Sequence, residues 1–181
     1  AEFLFDEAIR LEPDFGEIYI ERARYFINRK DPEAAIVDLE TAADLMPDSP
    51  AVYMTYANAY IALEDEKKAL EAAEKAYSLD ITALPVYSLL GGLYIDNGKY
   101  QQAIEALELY VVYETEDATA FAMLGQAYFE LKDYKSAVRY LDQAYTLNPS
   151  GLRRYYVYRG LAHLELDDID QAVEDLEKAY E

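Results

Sequence analysis

The 181-residue chain contains no cysteine, no tryptophan and one histidine, His163. Without thiols there is no disulfide framework, no thiolate nucleophile and no cysteine metal cluster. With one imidazole, a metal site would need oxygen ligands almost throughout. Positive charge is scarce as well: 16 Lys and Arg face 36 Asp and Glu, a formal net charge of −20. Nucleic-acid binding uses cations to displace counterions from phosphates, and anionic membranes attract basic patches, so this composition argues against both. No apolar run approaches the roughly 20 residues of a membrane-spanning helix, which argues against direct membrane insertion. No secretory leader pattern is visible, although the chain opens at Ala1 without Met. The compartment stays open, with a soluble, cytoplasmic protein favoured.

What is present is apolar and aromatic: 52% hydrophobic residues, including 19 Tyr and 6 Phe. That content can bury a core, which excludes a disordered chain. It is also periodic. Tyr19, Tyr53, Tyr87 and Phe121 fall 34 residues apart, as do Phe26, Tyr60, Tyr94 and Tyr128. Ala35, Ala69, Ala103 and Ala137 keep the same step, with Leu39, Ala73, Leu107 and Leu141 behind them. A fifth copy, Tyr156, His163, Ala172 and Leu176, is displaced by one residue, which places an insertion within Pro149-Ser150-Gly151-Leu152. Phe5, Ala8 and Pro13 match the end of a further copy upstream.

Inside each copy, bulky residues recur at three- and four-residue steps twice over, the pattern of two amphipathic helices. Turn chemistry separates them. Asp31-Pro32-Glu33 reads as an N-cap, a first-turn proline and an acid at a helix start; Ser49-Pro50 repeats that logic, and Asp96-Asn97-Gly98 tolerates positive φ. Small residues at Ala23, Ala57, Gly91, Gly125 and Gly160 allow close helix packing against rings. Residues 1–15 then form the second helix of a partial repeat. Residues 16–181 form an array with repeats at about 16–49, 50–83, 84–117, 118–152 and 153–181.

The order aromatic, Gly/Ala, aromatic, Ala, Leu, Ala, Pro at a 34-residue step resembles the tetratricopeptide repeat. The family's opening Trp is Tyr or Phe here, and its closing proline is kept at Pro13, Pro47 and Pro149 but is Ile81 and Thr115 elsewhere. The resemblance implies an all-α fold, a right-handed α-α superhelix of about five helix-turn-helix repeats plus a leading helix. Arg22 and Arg159 stand where the third and fourth repeats carry Leu90 and Leu124, and sixteen residues on the same two repeats alone carry Asp38 and Asp175. A half-buried arginine is costly unpaired, so these are expected to be structural ion pairs.

Catalytic patterns are missing. His163 stands where the other repeats have Phe or Tyr, and reads as a core residue rather than a base. The acidic runs at 64–66, 114–117 and 167–170 lack the spacing of a calcium loop and read as helix caps. Gly92 to Gly98-Lys99 has the wrong spacing for a phosphate loop, and Tyr100 follows where Ser or Thr is needed. The expectation is a non-catalytic chain with no cofactor and no metal.

In proteins that resemble this one, the first helix of each pair lines a concave groove. The positions left over after the inward-facing ones are Ile20, Arg24 and Ile27 in the first repeat and Met54, Asn58 and Ile61 in the second. The third supplies Ser88 and Ile95, the fourth Ala122, Gln126 and Phe129, and the fifth Val157, Leu161 and Leu164. The row Ile27, Ile61, Ile95, Phe129 and Leu164 is apolar throughout. Two readings of it stand side by side: packing against the second helix of its own pair, or an apolar floor for a partner's anchors. The expected partner is a protein or peptide, with basic residues beside apolar anchors if the acidic surroundings take part. The resemblance to carboxylate-clamping arrays stops at Arg24, because the other clamp positions hold Ile20, Thr55, Pro85 and Leu89. Arg154 is the remaining candidate for an anion contact. The apolar residues Val173, Leu176 and Tyr180 of the last helix leave end-to-end self-association, or excision from a longer array, as expectations. The functional reading is a protein-interaction scaffold that binds a peptide segment or helix. The alternative is a targeting or regulatory segment of a larger enzyme or secretion-type assembly.

Overall fold

The computed structural model describes residues 2–149 and 151–180; Ser150, within the inserted segment, lies outside them with Ala1 and Glu181. Among the described residues every regular element is an α-helix. These are α1 (Glu2–Leu11), α2 (Gly16–Asn28), α3 (Pro32–Leu45), α4 (Pro50–Ala62), α5 (Glu66–Leu79) and α6 (Leu84–Asp96), followed by α7 (Tyr100–Tyr113), α8 (Ala118–Glu130), α9 (Tyr134–Leu147), α10 (Arg153–Glu165) and α11 (Ile169–Tyr180). The chain divides into two compact units, 1–86 and 87–181, with the division inside α6. In the first unit α2 pairs with α3 and α4 with α5, while α3 and α2 both meet α4. In the second unit α8 pairs with α9 and α10 with α11, while α7 meets α8, and α8 and α9 meet α10.

One turn recurs between the helices of every pair. Lys30, Glu64, Gly98, Lys132 and Asp167 have φ between 58° and 69°, so the left-handed conformation falls at the same register position in all five repeats. Its backbone N–H bonds to the residue three before, as in Lys132 to Phe129 at 2.8 Å. The next N–H reaches the carbonyl five before, as in Asp133 to Tyr128 at 3.0 Å. This pair of bonds closes a helix with a left-handed residue and satisfies carbonyls that would otherwise be orphaned. Only Gly98 is glycine; a side chain in this conformation costs about 1 kcal/mol or more. The following residue caps the second helix. Asp31, Asp65 and Asp133 accept from the N–H groups of Ala34, Lys68 and Ser136. Lys99 occupies that place in the third repeat and offers no acceptor. At α4 the expected Ser49 cap is absent: Ser49 makes no side-chain bond, and Pro50 in the first turn needs no N–H acceptor.

The repeat junctions use the aromatic row. The hydroxyls of Tyr19 and Tyr53 donate to the carbonyls of Pro13 and Pro47 at 2.9 and 3.0 Å. Tyr156 donates likewise to Pro149, seven rather than six residues back, as a one-residue insertion requires. The small residues, by contrast, face leucine rather than rings. A Cβ on Gly125 would lie 2.4 Å from Leu141 Cγ, and one on Gly160 would lie 2.8 Å from Leu176 Cγ.

Both arginine pairs form. Arg22 donates to the Asp38 carboxylate at 2.8 and 2.6 Å. Arg159 donates to Asp175 through Nε at 2.7 Å and through a second, shorter bond. Burial works against the Arg159 charge, but the hydrogen bonds and the charge of Asp175 outweigh it and push the guanidinium pKa up. Among the described residues no buried side-chain nitrogen or oxygen lacks a hydrogen-bond partner.

Candidate binding surface

The groove candidates do not share one environment. Ile20 and Ile95 are buried, and Ala122 is fully so, which overturns their assignment to an open face. Ile20 joins the core of α2 and α4 with Tyr19 and Val52; Ile95 and Ala122 join the core of the second unit with Leu107 and Leu124. The physical reason is coverage by the neighbouring repeat. A position facing away from its own partner helix is covered by the first helix of the next repeat, as the α2–α4 and α8–α10 contacts show.

Ile27 and Phe129 are half-buried. Phe129 lies edge-on to Tyr158 with ring centres 5.4 Å apart, and 5.6 Å from Tyr134, so it links α8, α9 and α10. Gln126 is held in the same cluster, donating to the Tyr158 hydroxyl at 3.1 Å. Ser88 is half-buried beside the Tyr110 hydroxyl, and Met54 and Leu161 are half-buried. Arg24 is exposed but bound to Glu21 at 2.6 Å. Arg154 stacks over the Tyr155 ring and donates to its hydroxyl.

Four candidates remain open to solvent beside Arg24: Asn58 and Ile61 on α4, and Val157 and Leu164 on α10. Ile61, Val157 and Leu164 are 45%, 40% and 47% exposed. The single apolar row of the sequence therefore splits into a buried member, two half-buried members and two exposed ones. Glu165 and Glu130 lie exposed at the ends of α10 and α8. His163 is half-buried with Nδ1 3.4 Å from the Asp168 carboxylate, a contact at the α10–α11 turn.

An acidic row at the 34-residue step links successive repeats within each unit. Asp6 accepts from Arg22 at 2.8 Å, and Asp142 from Arg159 at 3.1 Å, each from the second helix of one repeat to the first helix of the next. Glu108 does the same for Tyr128 at 2.6 Å and also takes the Tyr140 hydroxyl at 2.9 Å. Tyr128 and Tyr140 stack 5.4 Å apart, and burial followed by the Glu108 contact pushes both phenol pKa values up. Tyr56 is pushed up to about 12, first by burial and then by Glu40, the same register position. The signal was legible: Asp6, Glu40, Glu74, Glu108, Asp142 and Glu177 follow the 34-residue step with the one-residue shift.

Two family models match the chain: tetratricopeptide repeat over residues 26–76, and anaphase-promoting complex, cyclosome, subunit 3 over residues 96–179. The match over residues 26–76 supports a tetratricopeptide-repeat family. Solved structures agree on the fold. YrrB, described as a tetratricopeptide-repeat protein with an unusual peptide-binding site, has a TM-score of 0.84 at 20% identity, over 97% of this chain and 90% of that one. MamA from Desulfovibrio magneticus RS-1 has a TM-score of 0.82 at 22% identity, over 91% of this chain and 93% of that one. The hetero-tetramer of the anaphase-promoting complex containing Cut9 and Hcn1 gives 0.79 at 24% identity, over 97% of this chain but 35% of that one. No curated protein matches the chain. This tetratricopeptide array is thus all-α, of the fold of solved repeat arrays. Among its described residues no helix is long and apolar enough to cross a membrane, and no cluster of His, Asp or Glu is arranged to hold a metal ion.

Proposed function

We propose that the chain is a protein-interaction scaffold whose first-helix face takes a peptide segment or helix, without chemistry of its own. The observation that carries this reading is the exposure of Val157 and Leu164, two turns apart on α10 of the second unit; on α4 of the first unit Ile61 is exposed at the same register as Leu164. An exposed aliphatic residue gains about 1.5–3 kcal/mol on full burial, so such anchors supply part of the roughly 8 kcal/mol of micromolar binding, and further contacts along the bound segment must offset the association costs. The excess of carboxylates favours a partner with Lys or Arg beside those anchors, chiefly by speeding encounter. The fold likeness to a protein described by its peptide-binding site supports the class of partner, not its identity.

The test is a paired capture from source lysate with mass spectrometry, comparing the parent chain with Ile61→Asp and with the pair Val157→Asp plus Leu164→Asp. These side chains are exposed, so circular dichroism should stay helical. A protein held by the parent and lost by one of the variants places function on that face. Proteins held equally by all three chains would remove the face from the reading.

A second reading makes the chain one segment of a larger assembly. It is favoured by the subunit 3 match over residues 96–179 and by the likeness to a longer Cut9-containing chain. Co-purification of the parent in a complex of defined composition, rather than with a free peptide-bearing partner, distinguishes the two.

A further inference from the structure

The outer face of α7 breaks the repeat pattern. Leu109, Val112 and Tyr113 lie at positions i, i+3 and i+4 of one helix, so they form one ridge, and they are 41%, 66% and 68% exposed. At the register of Leu109 the other repeats carry Thr41, Lys75, Gln143 and Lys178; at that of Val112 they carry Asp44, Ser78 and Thr146. At the register of Tyr113 the other repeats carry Leu45, Leu79 and Leu147, so it is at the Leu109 and Val112 positions that the fold does not require apolar side chains. Solvent faces those two positions in the neighbouring repeats, and among the described residues the third repeat alone is apolar at both.

The surroundings of that ridge are negative. Helix α7 contains no Lys or Arg, and its last turn has no cation to offset the partial negative charge of a helix C-terminus. Glu105 is exposed on the same face, and Glu114 and Glu116 are exposed just beyond the helix end. Asp117 is already committed to the Thr119 and Ala120 N–H groups. A second copy of this chain, at net charge −20, would bring like charge to this place, and an anionic membrane would be repelled. We propose that the outer face of α7 is a second docking site, separate from the first-helix face, for a basic amphipathic helix of a partner protein. Its aliphatic residues cover Val112 and Leu109, and its Lys or Arg side chains meet Glu114, Glu116 and the α7 C-terminus. Tyr113 offers an exposed ring to an arriving cation.

The absence of tryptophan supplies a reporter. Tyr113→Trp puts a lone indole on the ridge of the full chain. The probe is a synthetic helical peptide with Leu along one face and Lys on the other, with a Leu–Glu peptide as control. The expected result is a saturable shift of indole emission with the Lys peptide and none with the Glu peptide. Val112→Asp in the same background should weaken binding by about ten-fold or more, the loss of one well-covered aliphatic anchor. Glu114→Lys plus Glu116→Lys should weaken it and flatten its salt dependence. Leu164→Asp, on α10, should leave it unchanged. An unshifted emission, an equal response to both peptides, or loss of binding in Leu164→Asp instead of Val112→Asp would overturn the proposal. So would sedimentation showing a parent dimer that Val112→Asp dissolves, since a second copy would then be the occupant.

Discussion

The hairpins α10/α11 and α8/α9 stand next to each other in the second unit and fill the same slot differently. In α10/α11 the slot holds Arg159 with Asp175, whose side chains are 7% and 1% exposed. In α8/α9 it holds Leu124 with Tyr140, and the Tyr140 hydroxyl finds Glu108. The α2/α3 hairpin of the first unit repeats the ionic solution, but more loosely: Arg22 and Asp38 are 19% and 4% exposed. The backbone of the repeat thus accepts an ion pair or an apolar pair. What it does not accept is half of either, because a buried charge or hydroxyl must keep its partner.

That comparison breaks first at Asp175. Asp175→Ala strands Arg159 with only the exposed Asp142 carboxylate, and should cost about 3–5 kcal/mol in denaturant titration. Asp38→Ala should cost less, since Arg22 keeps Asp6 and reaches water. Adding Arg159→Leu to Asp175→Ala copies the Leu90 and Ala106 pairing of the third repeat and should recover most of the loss. Equal losses for the two single variants, or no recovery in the double, would show that the slot is not interchangeable.

The next effect concerns helix approach. Gly125→Ala drives a methyl into Leu141, itself buried, and should destabilise by about 1–3 kcal/mol. The first unit already accommodates Ala23 against Leu39, both fully buried, so the change there runs the other way: Ala23→Gly should cost only about 0.5–1 kcal/mol, mainly from helix entropy. Matching losses at the two sites would mean that interhelix spacing is not what glycine sets.

The smallest effect distinguishes the turns. Lys99→Asp supplies the missing cap of α7 and should add about 1 kcal/mol at neutral pH. At the capped turns, hydrogen bonds from Lys68 and Ser136 hold the Asp65 and Asp133 carboxyls below the ordinary aspartate range. A depressed carboxyl contributes stability that is present above its unfolded pKa, near 4, and is lost as pH falls through the lower folded value. Asp65→Asn plus Asp133→Asn keeps the caps, so stability near pH 7 should change little while the loss on acidification becomes shallower. Parallel acid limbs for parent and variant would remove these carboxyls from the acid response.

Where the sequence reading succeeded, it did so on features that repeat. The aromatic and alanine rows predict two helices per repeat and a leading helix, and the co-occurrence of Arg22 with Asp38 and of Arg159 with Asp175 identifies both ion pairs. The acidic row from Asp6 to Glu177 is equally periodic and legible in the same way, although a carboxylate at a helical position is ordinarily a solvated or capping group. The candidate surface was less legible. Ile61, Ile95 and Leu164 share a register position, yet Ile95 is buried while the other two are open. Ala122 is covered because α10 crosses α8, and Phe129 is drawn inward by Tyr134 and Tyr158.

By itself the sequence determined the period, the two helices per period, the turn chemistry between them and the residues that must be paired if buried. Those properties depend on neighbours within about one repeat, and the 34-residue step displays them five times. Only the tertiary structure decided which members of the outward rows remain open, because that depends on how much of one helix the next repeat covers. It also decided that Leu109, Val112 and Tyr113 lie uncovered together, since a side chain's exposure is set by the helices packed around it and not by its place in the repeat.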